Sequence, residues 1–173
     1  MRAGAAKSNA VAADGVHQFG HVEYVSGWPN ATLWSGSSTS ALNLNPPGAL
    51  YSFGYGAGGG EQVGMADAGT FVHAALWTGT AASFVDLGPA GATDSVARDA
   101  HGGRQVGQAV FAGSAHAGLW SGTAASWLDL HPAVAVISQG FGLDANQQVG
   151  KCMIGFTTVA ALWSGSAASF VNL

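Results

Sequence analysis

The sequence has few charged side chains, one cysteine and no long hydrophobic run. Its 173 residues include five Lys or Arg and nine Asp or Glu, which is 8% of the chain, against about 25% in an ordinary domain. The basic residues are scattered, so they form no basic patch of the kind that nucleic-acid binding requires. No apolar run approaches the ~18 residues of a membrane span. We therefore expect no nucleic-acid partner and no insertion into a membrane.

The single cysteine, Cys152, excludes an intrachain disulfide framework and a multi-cysteine metal site. Residues 1–7 show no apolar core of a secretory signal. The chain is 48% apolar with a net charge of only −4, whereas disordered chains combine low hydrophobicity with high net charge. The composition predicts a single compact domain over 1–173.

A repeat of 43 residues organises the chain. Each unit contains a Leu-Trp-Ser/Thr-Gly segment, and the tryptophans of these segments are Trp34, Trp77, Trp120 and Trp163. Between 76–89 and 119–132, ten of fourteen positions are identical. The approximate units are 1–46, 47–89, 90–132 and 133–173. Such periodicity is typical of solenoids, propellers and arrays.

Other residues recur in phase with the tryptophans. They include a glutamine before each tryptophan and, further upstream, a serine: Gln18, Gln62, Gln105 and Gln148, then Ser8, Ser52, Ser95 and Ser138. Gln18 and Ser8 lie one residue further from Trp34 than their counterparts lie from the other tryptophans. Leu173 would precede Ser8 by the usual eight positions if the two ends were joined. Either the four units close on themselves, or they were cut in register from a longer array. The sequence leaves both open.

Each unit contains about four short extended segments separated by turn residues. In the third unit these are 95–97, 105–110, 117–120 and 126–130. The Ala-Ala-Ser stretches are short and are interpreted as turns or strand edges. Because 43 residues and four strands match a propeller blade, we predict an all-β propeller of four four-stranded repeats. A β-solenoid, or an open propeller fragment that oligomerises, is the alternative.

The repeats resemble a known family. His73-Ala74-Ala75-Leu76-Trp77 and His116-Ala117-Gly118-Leu119-Trp120 follow Gln-Val-Gly segments, and Asp86-Leu87-Gly88 follows the first of them. This arrangement is similar to the bacterial extracellular HAF-type repeats, named for a His-Ala-Phe signature. Ala75 and Gly118 stand where that family has Phe, and Asn30 and Val159 replace the histidine. The resemblance implies propeller-like repeats on secreted or surface proteins and no particular activity.

The repeated histidines and carboxylates are interpreted as structural. His73 and His116 lack convergent partners, so a hydrogen bond to a neighbouring turn is favoured over a metal or catalytic role. Asp86 and Asp129 alternate with Asn43 and Asn172 at one repeat position. Asn can replace Asp in turn bonding but not in acid–base catalysis. We expect Cys152 to be buried and unreactive.

Gly54–Gly60 is interpreted as an ordinary turn between strands, because no Lys-Ser/Thr or helix follows to bind phosphate. Trp28 and Tyr55 break the repeat in predicted loops, and Tyr24 lies near a strand end. These aromatic residues, with His73 and His116, are the binding candidates. We assign no catalytic residue, metal ligand or cofactor. The sequence favours a non-catalytic binding or scaffold module, with possible self-association or a glycan or protein ligand. A multivalent lectin-like propeller and an enzyme with a site at the axial channel are the alternatives.

Overall fold

A computed structural model describes residues 4–25 and 27–173. Met1, Arg2 and Ala3, part of the segment considered for a secretory signal, lie outside the described residues, as does Ser26. The described residues form four sheets of four consecutive antiparallel strands. Sheet 1 contains β1 Ala5–Ala13, β2 Gln18–Tyr24, β3 Asn30–Trp34 and β4 Leu42–Asn43; sheet 2 contains β5 Ser52–Gly58, β6 Glu61–Asp67, β7 Val72–Trp77 and β8 Val85–Asp86. Sheet 3 contains β9 Asp94–His101, β10 Arg104–Phe111, β11 Ser114–Trp120 and β12 Leu128–Asp129; sheet 4 contains β13 Ile137–Leu143, β14 Gln148–Ile154, β15 Thr157–Trp163 and β16 Val171–Asn172.

Each sheet packs against the next sheet along the chain, and the first strands of successive sheets lie side by side. The predicted fold class is confirmed: the chain is an all-β, four-blade propeller-like protein of four-stranded repeats. The first three predicted strand segments of the third unit fall within observed strands, which are longer than expected. The fourth, 126–130, was too long, because Ser126 belongs to the preceding 3-10 turn and only Leu128 and Asp129 pair with β11. No helix of the described residues is long and apolar enough to cross a membrane.

The Ala-Ala-Ser stretches form single 3-10 turns between the third and fourth strands of units two to four. Their bounds are Ala81–Ser83, Ala124–Ser126 and Ala167–Ser169, and Ser38–Ser40 is the counterpart in unit one. Thr80 and Ser83 form a capping box, which satisfies backbone donors at the start of the turn. The turn interpretation therefore holds, with a 3-10 geometry that the sequence did not specify.

A β-bulge interrupts the first strand of every sheet. In sheet 2, Gly54 pairs with Gly64 and Gly56 with Val63, so Tyr55 has no partner on β6. The glycine of Gln-Val-Gly lies at this point because a Cβ on Gly64 would stand 1.8 Å from the Phe53 carbonyl oxygen. The glycine of this motif thus allows the backbones of the first and second strands to approach closely beside the bulge.

The hydrophobic core consists of three clusters, one between each pair of successive sheets. In the first, Leu44 of unit one packs with Trp77 of sheet 2. The second and third repeat this arrangement with Leu87 and Trp120, then with Leu130 and Trp163. The repeated Leu and Trp are therefore the two sides of one recurring interface.

Candidate ligand-binding surface

The polar side chains shared by the four units maintain the framework. Gln62 is buried, and its Oε1 accepts the Gly79 backbone N–H at 2.7 Å. The same bond joins the equivalent residues in the other units, which are Gln18 and Gly36, Gln105 and Gly122, and Gln148 and Gly165. Gly79 has a φ of 85°, which favours glycine at this turn.

A serine in the following 3-10 turn has an equally constant role. Ser83 Oγ accepts the Thr78 backbone N–H at 2.8 Å and donates to the Thr80 carbonyl oxygen at 2.7 Å. Ser40, Ser126 and Ser169 repeat both bonds. These hydroxyls are committed to backbone groups, so the recurring serines are structural.

The Asp/Asn position also behaves as predicted. Asp86 accepts the Gly88 backbone N–H at 2.7 Å. Asp129 makes the same bond to His131, and Asn43 makes it to Asn45. An amide oxygen can replace a carboxylate oxygen here because either one accepts the hydrogen bond from a single backbone N–H.

His73 and His116 bond these carboxylates rather than a turn backbone. His73 Nδ1 lies 2.8 Å from Asp86, and His116 Nδ1 lies 2.8 Å from Asp129. The His116 ring also stacks on His131, with centroids 4.0 Å apart. The predicted partner was therefore wrong in detail, since it is a side chain on the fourth strand. Sequence spacing could not show this because the pairs are 13 residues apart.

Against this constant framework, the bulges present a different residue in each unit. The unpaired residues at the position shared by the four units are Val11, Tyr55, Arg98 and Phe141. We call them the bulge residues. Three of them are contiguous: the Arg98 guanidinium lies 5.7 Å from the Tyr55 ring centroid and 5.5 Å from that of Phe141. A bulge re-aims a side chain and commonly lies beside a functional site.

Aromatic side chains continue from Tyr55 along one face of β5. Residues two apart on a strand share a face, and the centroids of Phe53 and Tyr55 are 6.2 Å apart with parallel rings. Tyr51 lies 6.3 Å from Phe53, and Trp28 lies 5.6 Å from Tyr51. We call Trp28, Tyr51, Phe53 and Tyr55 the aromatic row. Beyond Arg98, Lys151 Nζ lies 5.8 Å from the Phe141 ring.

An open groove of about 500 Å³ begins at the Trp28 end of the row. Tyr24 and Trp28 line it together with Asn30 and Asn45. Trp28 is 60% exposed, so its ring is available to a ligand. Aromatic surfaces combined with a few polar groups are typical of small-molecule sites.

Burial governs the electrostatics along the row. It raises the pKa of the Tyr55 phenol, an effect that the positive charge of Arg98 opposes. Burial also lowers the pKa of His21, whose ring lies 4.9 Å from that of Phe53. Asn9 Nδ2 lies 3.1 Å from His21 Nε2, within hydrogen-bond distance. The row is thus a neutral aromatic surface with cations at one end.

The structure brings together some of the predicted binding candidates. Tyr24 and Trp28 share the groove, and Trp28 connects to Tyr55 through Tyr51 and Phe53. The loop prediction for Tyr55 was wrong, because residues 54–58 belong to β5 and only Gly59 and Gly60 form the turn. The glycines there reflect close packing: a Cβ on Gly56 would stand 2.4 Å from the Arg98 carbonyl oxygen of sheet 3.

His73 and His116 occupy the repeat position of Asn30, in units two and three, and do not join the aromatic row. Sequence reasoning missed Tyr51, Phe53, Arg98, Phe141 and Lys151. The alternation of aromatic residues at 51, 53 and 55 was a signal for one strand face. No sequence signal placed Arg98 and Phe141 beside it, because those contacts join different sheets.

A second cleft, of about 530 Å³, includes Asp14, His17, Ser35 and Ser40. These residue types could suggest hydrolytic chemistry. However, Ser40 Oγ is bonded to backbone groups as in the other units. Asp14 Oδ1 accepts the backbone N–H groups of Val16 and His17, and these bonds, chiefly the one from His17, lower the pKa of Asp14. Within 4–25 and 27–173, no three His, Cys, Asp or Glu side chains form a metal-binding group.

Cys152 is buried, as predicted. Burial raises the pKa of its thiol to about 11, which suppresses the reactive thiolate at neutral pH.

Comparison of the chain with protein-family models finds no matching family. Comparison with curated proteins likewise finds no match.

Proposed function

We propose that this protein is a non-catalytic binding module whose ligand surface is the aromatic row with its Arg98–Phe141–Lys151 extension. The observation that carries the proposal is the contrast between the framework and the bulge residues. The glutamines and serines recur with the same hydrogen bonds in each unit. In contrast, Tyr55, Arg98 and Phe141 differ from one another, and Arg98 contacts both rings. A rigid scaffold that presents varied side chains is the common arrangement of binding proteins.

The ligand class that fits best is carbohydrate. Aromatic rings provide flat apolar faces for stacking against sugar rings, and consecutive steps of 5.6, 6.3 and 6.2 Å give a row rather than a pocket. Asn30 lines the groove at one end, and Arg98 and Lys151 lie at the other, where they would donate hydrogen bonds to hydroxyl or carboxylate groups. A row suits a chain of several sugars, each adding a weak contact.

The framework bonds support the interpretation that the chain is not an enzyme. The recurring serine and glutamine oxygens accept backbone N–H groups, and Asp86 and Asp129 are bonded to histidine and backbone. The polar residues most suited to chemistry are thereby engaged in turns.

The proposal is tested by affinity electrophoresis in gels containing neutral and acidic polysaccharides, followed by calorimetry with oligosaccharides of the retarding polymer. We expect Trp28→Ala and Tyr55→Ala each to weaken binding at least about fivefold, the effect of roughly 1 kcal/mol. Phe156→Ala is the matched control, since Phe156 is a fully exposed aromatic residue in the β14–β15 turn. Failure of every polysaccharide to bind, or an equal loss in Phe156→Ala, would contradict the proposal.

The resemblance to HAF-type repeats and the extracellular or cell-surface location that it implies remain part of the proposal. A carbohydrate ligand is compatible with that location. Recovery of the native protein from the cytosol alone, in its source cells, would count against it.

A further inference from the structure

The three interfaces between sheets are copies of one another and have two distinct sides. One side carries a leucine at the end of the unit together with a backbone N–H on its third strand. The other side, on the next unit, carries the buried tryptophan and the phased serine on its first strand. The three interfaces pair Ala31 with Ser52, Ala74 with Ser95, and Ala117 with Ser138, at N–Oγ distances of 2.9, 2.8 and 2.9 Å.

Within the described residues, sheet 4 presents its leucine side to solvent. Leu173 is 70% exposed, whereas Leu44, Leu87 and Leu130 at the same repeat position are completely buried. Val149 is 45% exposed, although its counterparts Val63 and Val106 are buried. Ala160, the counterpart of the alanines that donate to serine, is exposed. We call this side of sheet 4 the tail face.

Sheet 1 likewise exposes the serine side of the interface. Ser8 is exposed, whereas Ser52, Ser95 and Ser138 are buried. Trp34 is partly exposed, although the other three repeat tryptophans are completely buried. We call this side of sheet 1 the head face. The two faces are therefore the separated halves of an interface that the chain already forms three times.

We propose that the tail face of one molecule binds the head face of a second copy of this chain. In the joint, Ser8 Oγ of one copy accepts the Ala160 backbone N–H of the other, and Leu173 packs beside Trp34. This occupant follows from continuity with the internal interfaces, which supply both the side chains and the register. Because the interface joins unlike faces, repeated association gives a closed ring or a filament.

The proposal is tested with the full chain by sedimentation velocity over a range of concentrations. Leu173→Lys blocks the tail face, and Ser8→Lys blocks the head face; both positions are exposed, so the fold should survive, which circular dichroism verifies. Phe156→Lys is the control, because Phe156 is fully exposed in the turn between β14 and β15. We expect oligomers for the native chain and for Phe156→Lys, and monomers for each blocked variant alone.

Mixing supplies the decisive measurement. The native tail face of Ser8→Lys and the native head face of Leu173→Lys form one complete joint, so an equal mixture should contain one-to-one dimers and nothing larger. Either blocked variant remaining as oligomeric as the native chain overturns the proposal, as does a mixture that stays monomeric. A native chain that is monomeric at every concentration also overturns it, and would indicate closure within one molecule.

Discussion

The Ser95 hydroxyl on β9 accepts the backbone N–H of Ala74 on β7 at 2.8 Å, joining two neighbouring sheets. Both residues are buried. The Ala74 carbonyl oxygen accepts the backbone N–H of Leu87, directly after the fourth strand, and Ser95 supplies the acceptor for the Ala74 N–H. This serine bond recurs at each internal interface, which explains why a serine is repeated every 43 residues.

Replacing Ser95 by alanine should therefore destabilise the protein. The Ala74 N–H would be buried without an acceptor, at a cost of about 1–3 kcal/mol in the free energy of unfolding. Urea unfolding measures the effect. Both substitutions are compared separately in a Leu173→Lys background, which prevents end-to-end contact between molecules. Ser8→Ala is the control and should change the free energy of unfolding by less than about 0.5 kcal/mol. Equal effects at the two positions would show that the inter-sheet bond is not the cause.

Gly107→Ala should destabilise the bulge in sheet 3. A Cβ there would stand 2.0 Å from the Val96 carbonyl oxygen, so β9 and β10 would have to separate, at a cost of about 1–3 kcal/mol or more. Gly27→Ala is the matched control because a Cβ at that residue meets nothing within 4 Å. Thermal unfolding of the two variants distinguishes them, and similar melting temperatures would contradict the role assigned to the Gln-Val-Gly glycine.

Asp86→Asn should cost less stability than Asp86→Ala. The amide oxygen can still accept the Gly88 backbone N–H, as Asn43 does for Asn45, whereas alanine loses that bond and exposes the turn. We expect a difference of about 0.5–1.5 kcal/mol in unfolding free energy, measured by urea denaturation. If Asn and Ala were equally damaging, the contact between the carboxylate and His73 would be the important interaction instead.

Cys152 should make stability depend on pH above 9. Burial raises the pKa of its thiol from 9.0 to about 11, so between these values the unfolded chain loses a proton that the folded chain keeps. Stability from this residue is therefore intact below pH 9 and declines as the pH rises to about 11. Cys152→Ala, which copies Ala66 and Ala109 of the other units, should abolish this decline in urea titrations at pH 8 to 11. The native thiol should also react with iodoacetamide only after unfolding.

Much of the fold could be predicted from the repeat. The repeat length follows from the even spacing of Trp34, Trp77, Trp120 and Trp163. The turn residues between them indicate four strands in each unit. The location of Tyr55 in a loop was wrong because five glycines between 54 and 60 are typical of a turn. In the structure Gly54 and Gly56 accommodate backbone from adjacent sheets instead. Local sequence cannot distinguish a glycine needed for a turn from one needed for close packing.

The candidate surface was only partly predictable. Trp28 and Tyr55 were recognised because they interrupt the repeat, and the structure connects them through the rings of Tyr51 and Phe53. Tyr24, named for its place near a strand end, shares the groove with Trp28. Arg98 and Phe141 also interrupt it, but each looks ordinary within its own unit. Their significance arises from contact between different sheets. Tyr55, Arg98 and Phe141 are one repeat apart in the chain, and the Arg98 guanidinium lies 5.7 Å from the Tyr55 ring centroid and 5.5 Å from that of Phe141.

The central claim is that ligand binds along the aromatic row, and tryptophan fluorescence during a carbohydrate titration tests it most directly. Trp28 is the most exposed tryptophan of the described residues, whereas Trp77, Trp120 and Trp163 are completely buried. We predict that bound carbohydrate shifts the emission and protects it from acrylamide quenching, and that Trp28→Phe removes both changes. Carbohydrate binding that leaves the emission and quenching of the native protein unchanged would contradict the account.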